Sequence, residues 1–221
     1  MIKTSDRSLK SRNFRWLVAI ATADAAILGL FIAPGLIRDS TATQLGVLRA
    51  LSTVLLPILV LLLVNILPSG TKAALIYWRV RHVLPGTQAF TRHGPSDPRV
   101  DMVRLKKNVG TLPSEPKEQN ATWYRLYKMV ETRAEVISAQ QDFLLYRDAA
   151  AISLPLVALG PIAMHFAGAG NNSVWWAGAM FLAQYFAAGV SARHAGNRFV
   201  CTVLAIHSTT KIASRTAAAV S

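Results

Sequence analysis

The chain has a single cysteine, Cys201, so neither an internal disulfide nor a cysteine-built zinc site can form within it. Cys201 reads instead as a small, packed apolar residue. Charge is scarce too, at 16% of residues against roughly 25% in an average soluble domain. Its distribution matters more than its amount. No Lys, Arg, Asp or Glu occurs between Arg49 and Lys72, or between Asp148 and Arg193. An uncharged, mostly apolar run of about 20 residues is what a helix needs to cross a hydrocarbon core, and soluble cores need no such runs.

Catalytic patterns are missing as well. No G-x-x-x-x-G-K-[ST], G-x-G-x-x-G or H-E-x-x-H occurs. Ser69/Lys72 and Ser208/Lys211 fit S-x-x-K, a pattern short enough for chance, and neither has the companion motifs of a serine acyl-enzyme. His82, His93, His165, His194 and His207 never fall at metal-ligand spacing. Of these, His82 and His93 are expected to be solvated or headgroup-facing. The expectation is a protein that is not an enzyme and needs no cofactor or metal.

What is present is apolar sequence in four blocks, giving an all-α membrane protein with four transmembrane helices. The first span is expected over residues 16–37, interrupted by Asp24, and the second over 47–67, with Pro57 as a kink. The third, 149–167, carries Pro155 and Pro161; the AGAGNNS turn then leads to the fourth, 174–191, with Trp175 and Trp176 at an interfacial belt. The basic start (Lys3, Arg7, Lys10, Arg12, Arg15) also suits a signal peptide, but Asp24 and the spans downstream favour a retained helix. Five regions follow: a basic arm (1–15), a first hairpin (16–67), a basic helical segment (68–148), a second hairpin (149–191) and a tail (192–221).

Positive charge sets the orientation. The arm, the central segment and the tail hold 22 of the 24 Lys and Arg, leaving Arg38 and Arg49 to the opposite loops. By the positive-inside rule both termini and the central segment are cytoplasmic, in a bacterial inner membrane.

Within the central segment the second span is expected to continue helically to Pro85-Gly86. A short helix follows, with Asp97 as N-cap, Pro98 at its first position and Gly110 past its end. A longer helix starts near Ser114 and Pro116 and is expected to run into the third span. Trp123, Tyr127, Val130, Ala134, Ile137, Gln141 and Leu144 form one apolar stripe along it, with Leu126, Met129, Val136 and Phe143 beside it. Intrachain packing accounts for such a face, and so does a homo-oligomer.

The basic excess lies in the first half of this segment, which has eight basic and two acidic residues between Lys72 and Lys107. Three readings stand open: topology with attraction to anionic headgroups, a site for an anionic ligand, or duplex nucleic acid, for which no recognition motif exists. The ligand reading picks out Arg79, Arg81, Arg99, Arg104, Lys106 and Lys107, since guanidinium binds phosphate bidentately. Tyr77, Trp78, Trp123 and Tyr124 are near enough in sequence to stack bases. Inside the spans, Asp24 either lines a pore or bonds to another helix, with Asn65 as a partner. Asn65 and Gln184 suit interhelical hydrogen bonds.

Four spans, a basic helical cytoplasmic part and no catalytic motif together resemble the small membrane effectors of bacterial antiphage systems. That resemblance implies an oligomeric channel or membrane-perturbing effector, gated by a nucleotide or oligonucleotide-like ligand or a partner. It carries no residue assignments. The competing expectation is a non-conducting anchor or scaffold that recruits a soluble partner protein.

Overall fold

The computed structural model describes residues 13–29, 67–79, 81–166 and 168–210, with isolated positions 55, 58, 59 and 62. Every regular element among them is helical. Helix α1 covers residues 13–29, and α2 covers Ser69–Tyr77. A chain of short turns follows: a 3-10 turn at Pro85–Gln88, a π-turn at Ala89–His93 and a single α-turn at Gly94–Ser96. Four helices complete the order: α3 (Met102–Val109), α4 (Pro116–Val130), α5 (Ala134–Phe166) and α6 (Asn171–Thr209).

The helix ends follow from local chemistry. Asp101 caps α3, its carboxylate accepting from the Val103 and Arg104 amides at 3.0 and 2.9 Å. Asp97, the expected cap, instead folds back on the Arg99 amide and guanidinium, which leaves it no amide of a following helix to bind. Gly110 does lie just past the helix. Pro116 opens α4, with Glu115 accepting from the Glu118 amide.

Two expected continuities break. Helix α2 stops at Tyr77 rather than at Pro85, because Trp78 (φ 49°) and His82 (φ 53°) adopt left-handed backbone. The long helix divides at residues 131–133 between α4 and α5. At about 100° per residue, a continuous helix would set Val130 and Val136 on faces about 120° apart. Both are buried in the same unit, and the break lets both reach its core. With that change of phase Ala134 becomes exposed and Ile137, Gln141 and Leu144 are only half-buried, so the expected stripe is covered along Trp123, Leu126, Tyr127 and Val130 and is partial beyond. From Ala134 onward the chain is helical through to Phe166, with Pro155 and Pro161 inside it.

Helix α5 is long and apolar enough to cross a membrane, and it alone is so among the described residues. At 33 residues it is about 50 Å long, well over the ~30 Å of a hydrocarbon core. The first expected span is described only to residue 29 and the second only at scattered positions; the fourth lies within α6. The α5–α6 turn closes as a Schellman motif: Gly168, at φ 75°, donates to the His165 carbonyl and Ala169 to that of Met164, both at 3.0 Å.

The chain divides into two compact units, Met1–Ile76 with Leu144–Val190, and Tyr77–Phe143 with Ser191–Ser221. In the first, Leu17, Leu28, Ile152, Leu156, Met164 and Phe181 form the core. Asp24 is buried there, its Oδ1 accepting from Gln184 Nε2 at 3.0 Å, while Oδ2 has no partner among the described residues. This interhelical bond is of the expected kind, but it comes from Gln184; Asn65 lies outside the described residues. Lys72, counted at the start of the basic excess, is buried against Asp148 at 3.3 Å, and Arg147 reaches the same carboxylate at 2.8 Å.

In the second unit Trp123, Tyr127, Phe143 and Phe199 make an aromatic core. Gln119, fully buried, accepts from the Phe90 and Thr91 amides and donates to the Ser114 carbonyl, fastening the π-turn to α4. His207 Nε2–H donates to the Leu126 carbonyl at 2.9 Å, and Asn108 donates to the His207 carbonyl.

Candidate functional site

The second unit contains a cavity of 160 Å³ built from three segments. The link after α2 supplies Tyr77, Arg79 and His82; the 3-10 and π-turns supply Thr87, Gln88, Arg92 and His93; α6 supplies Arg193 and Asn197. The residues that line it include three arginines and two histidines and no carboxylate. Among the described residues neither Arg79 nor Arg92 pairs with an acid.

Local backbone explains the arrangement. The left-handed residues Trp78 and His82 bracket Arg79 and turn the chain back on itself. Such backbone in bulky residues persists only where surrounding contacts hold it. Thr87 supplies one, its hydroxyl hydrogen-bonded to the Leu84 carbonyl at 2.7 Å and the His82 carbonyl at 3.0 Å. Another comes from Arg193, whose guanidinium lies 3.7 Å above the Trp78 ring. Gly196 admits Tyr77: any Cβ there would collide with the Tyr77 hydroxyl and the Phe143 ring.

Two buried polar atoms of the lining, Tyr77 Oη and Asn197 Oδ1, have no hydrogen-bond partner among the described residues. Burial pushes the Tyr77 phenol above its ordinary range, partly offset by Arg193 and Arg79, so the group stays a neutral O–H donor. For His93 burial comes first, and the nearby Arg92 and Arg79 add to it; all three push the imidazole down and favour its neutral form. His93 is therefore buried, contrary to the solvated position expected, because its turn packs beneath α6, where Cys201 Sγ donates to its carbonyl.

A second depression, of 410 Å³, is lined by Asp97, Arg99, Arg198 and Cys201 together with His93 and Asn197. Its cations are already matched. Arg99 is bidentate to Asp97, whose carboxyl that hydrogen bond holds down at about 2, and Arg198 pairs with Asp142. Cys201 is buried and its thiol is pushed up to about 12, chiefly by burial and then by Asp97, so it is no nucleophile.

The six expected ligand residues are thus dispersed. Arg79 lines the first cavity and Arg99 the second. Arg81 is exposed outside both. Arg104 pairs with Asp101, and Lys106 and Lys107 are exposed on the last turn of α3. Of the aromatic residues expected to stack bases, Trp123 is core and the Trp78 face is covered by Arg193. The six leave out Arg92, although it belongs to the same basic half of the segment, and sequence reading missed Arg193, which lies more than a hundred positions from Arg79. A basic residue in the uncharged flank of the fourth span was the only available signal for Arg193.

No protein-family model, no curated protein and no solved structure matches this chain.

Proposed function

We propose that this chain is a multi-pass membrane protein of four spans, with both termini and the basic segment in the cytoplasm. In this reading it assembles as a homo-oligomer and acts as a channel or membrane-perturbing effector, gated by an anionic ligand at its basic helical part. The observation that carries the gating is the cavity beside Arg79, Arg92 and Arg193, where cationic groups and unsatisfied polar atoms converge without a carboxylate. A ligand there changes the membrane part only if it binds the open and closed states with different affinity. The architecture is the one that resembles antiphage effectors.

Conductance across a bilayer tests this reading, with nucleotides and short oligonucleotides added at the cytoplasmic face of the reconstituted protein. A ligand-evoked current is expected. No current under any ligand, with an oligomer present in the bilayer, transfers the case to the non-conducting scaffold. That second reading draws on the exposed Tyr124 and Met129 of α4, a face on which a soluble partner could dock.

A further inference from the structure

The geometry points to a phosphoryl group as the ligand of the Arg79–Arg92–Arg193 cavity, a conclusion that rests on the reading of the basic part as an anion site. Charge is the first ground. Arg79 and Arg92 pair with no acid among the described residues, and no carboxylate lines the cavity, so they leave an excess that one carboxylate offsets only in part and a doubly charged phosphoryl group offsets fully.

Direction is the second. The arginines arrive from the link after α2, from the π-turn and from α6, so they approach a common occupant from different segments. A carboxylate offers only two oxygens and a single charge to such a set of cations. A terminal phosphoryl group has three oxygens, and it can engage three forks at once.

Preorganisation is the third. Arg193 is stacked on Trp78, and the left-handed backbone at Trp78 and His82 fixes the segment that carries Arg79. Tyr77 Oη, buried in the cavity lining, is an O–H donor with no acceptor among the described residues. Buried polar atoms without partners are rare in folded proteins, and a phosphate oxygen supplies the acceptor that this hydroxyl lacks.

Size limits how much of the ligand enters. At 160 Å³ the cavity falls below the roughly 300–1,000 Å³ of sites that enclose drug-sized molecules. It takes the phosphate and leaves the rest of the molecule outside. A nucleotide and a phosphomonoester lipid such as phosphatidic acid both present this chemistry.

Titration calorimetry of the full chain in uncharged detergent, with inorganic phosphate as the probe, tests the assignment. Saturable phosphate binding is expected, with none for acetate at equal ionic strength. Arg92→Gln and Arg193→Gln should each weaken phosphate about tenfold or more, as loss of a charge-assisted hydrogen bond does. Tyr77→Phe keeps the ring against Gly196 and should weaken it several-fold, whereas Arg125→Gln on α4 should leave it unchanged. Thermal melts identify any variant that fails to fold, and Arg92→Lys then serves as the milder replacement. Absence of phosphate binding by the folded wild type, or equal binding by folded Arg92→Gln and Arg193→Gln, overturns the site.

Two further arms name the phosphate's source. Competition by adenosine monophosphate indicates a soluble ligand; a weaker phosphate affinity in phosphatidylcholine vesicles containing phosphatidic acid, against phosphatidylcholine alone, indicates a lipid. Either result upholds the phosphoryl assignment. Phosphate binding without conductance would remove the gating reading alone, while an anion-evoked current that survives loss of Arg92 and Arg193 would remove this site alone.

Discussion

In the unit made of Met1–Ile76 and Leu144–Val190, large apolar side chains stand exposed while the charges at the α2–α5 contact are covered. Ile162, Phe166, Trp175, Trp176 and Phe186 are open at the surface, Phe166 and Trp175 at 79% each, yet Lys72 and Asp148 are nearly covered. The other unit reverses this. Its apolar residues are gathered around Trp123 and Phe199, and Arg99, Arg104, Lys106, Lys107 and Lys128 are exposed. Of the large apolar residues that are exposed among the described residues, only Trp78, Leu84, Val103, Tyr124 and Met129 belong to it. A chain that must satisfy one solvent has no reason to invert its rule halfway. The proposed membrane reading, with hydrocarbon around one unit and water around the other, would give the inversion a cause.

The contrast is sharpest at the ion pairs. Asp148→Ala leaves Lys72 and Arg147 partly buried beside each other without their carboxylate, which should cost about 3–5 kcal/mol. Glu131→Ala removes the half-buried partner of the exposed Lys128 in the other unit and should cost no more than about 1 kcal/mol. Thermal unfolding in detergent measures both, and equal losses would break the comparison. A smaller effect follows from Ile162→Lys, which sets a cation on the exposed face of α5. If that face meets lipid, insertion should be less favourable by about 2.5–3.5 kcal/mol, as read in a glycosylation-based insertion assay. Val103→Lys, at a position in the other unit that is 80% exposed, should stay within about 0.5 kcal/mol.

Acid should weaken the second unit by a lesser amount. Burial, and then the charge of Arg133, lower the His207 pKa below 6.5, although its bond to Leu126 opposes them. The unfolded chain therefore takes up this proton first. Stability is complete above 6.5 and declines as pH falls toward the lower folded value. A melting temperature lower by a few degrees at pH 5.5 than at 7.5 is expected. His207→Gln, which keeps a donor for Leu126, should flatten part of that slope. The least effect belongs to Asp97→Asn. The carboxyl at about 2 contributes stability above its unfolded value of 3.8 and loses it as pH falls toward 2, but solvent around Arg99 screens the pair, so the melt at neutral pH should move by less than a few degrees.

Helical class was legible because apolar runs, proline positions and caps are local signals. Pro116 opened its helix and Gly110 closed one where the sequence placed them. The features that eluded sequence reading depend on distant partners. Nothing in Glu131, Thr132 or Arg133 forbids a helix; the break comes from the need to bury both Val130 and Val136. Nor does Trp78 announce a left-handed backbone, which accompanies the Arg193 stack from α6. Asp97 before Pro98 offers as good a cap sequence as Asp101, and only the fold-back onto Arg99 separates them. The candidate site suffered most, since grouping basic residues by position joined Arg104, Lys106 and Lys107 to Arg79 and left out Arg193.

Reporter fusions test the two-solvent account most directly. Fusions after Gly94 and Ser221 should report the cytoplasm, and fusions after Ser40 and Asn172 the outer side. The decisive pair is Gly94 and Asn172, because α5 lies between them. Opposite sides are the result expected of a spanning α5; the same side for both would mean that α5 does not cross, and the membrane account would fall with it.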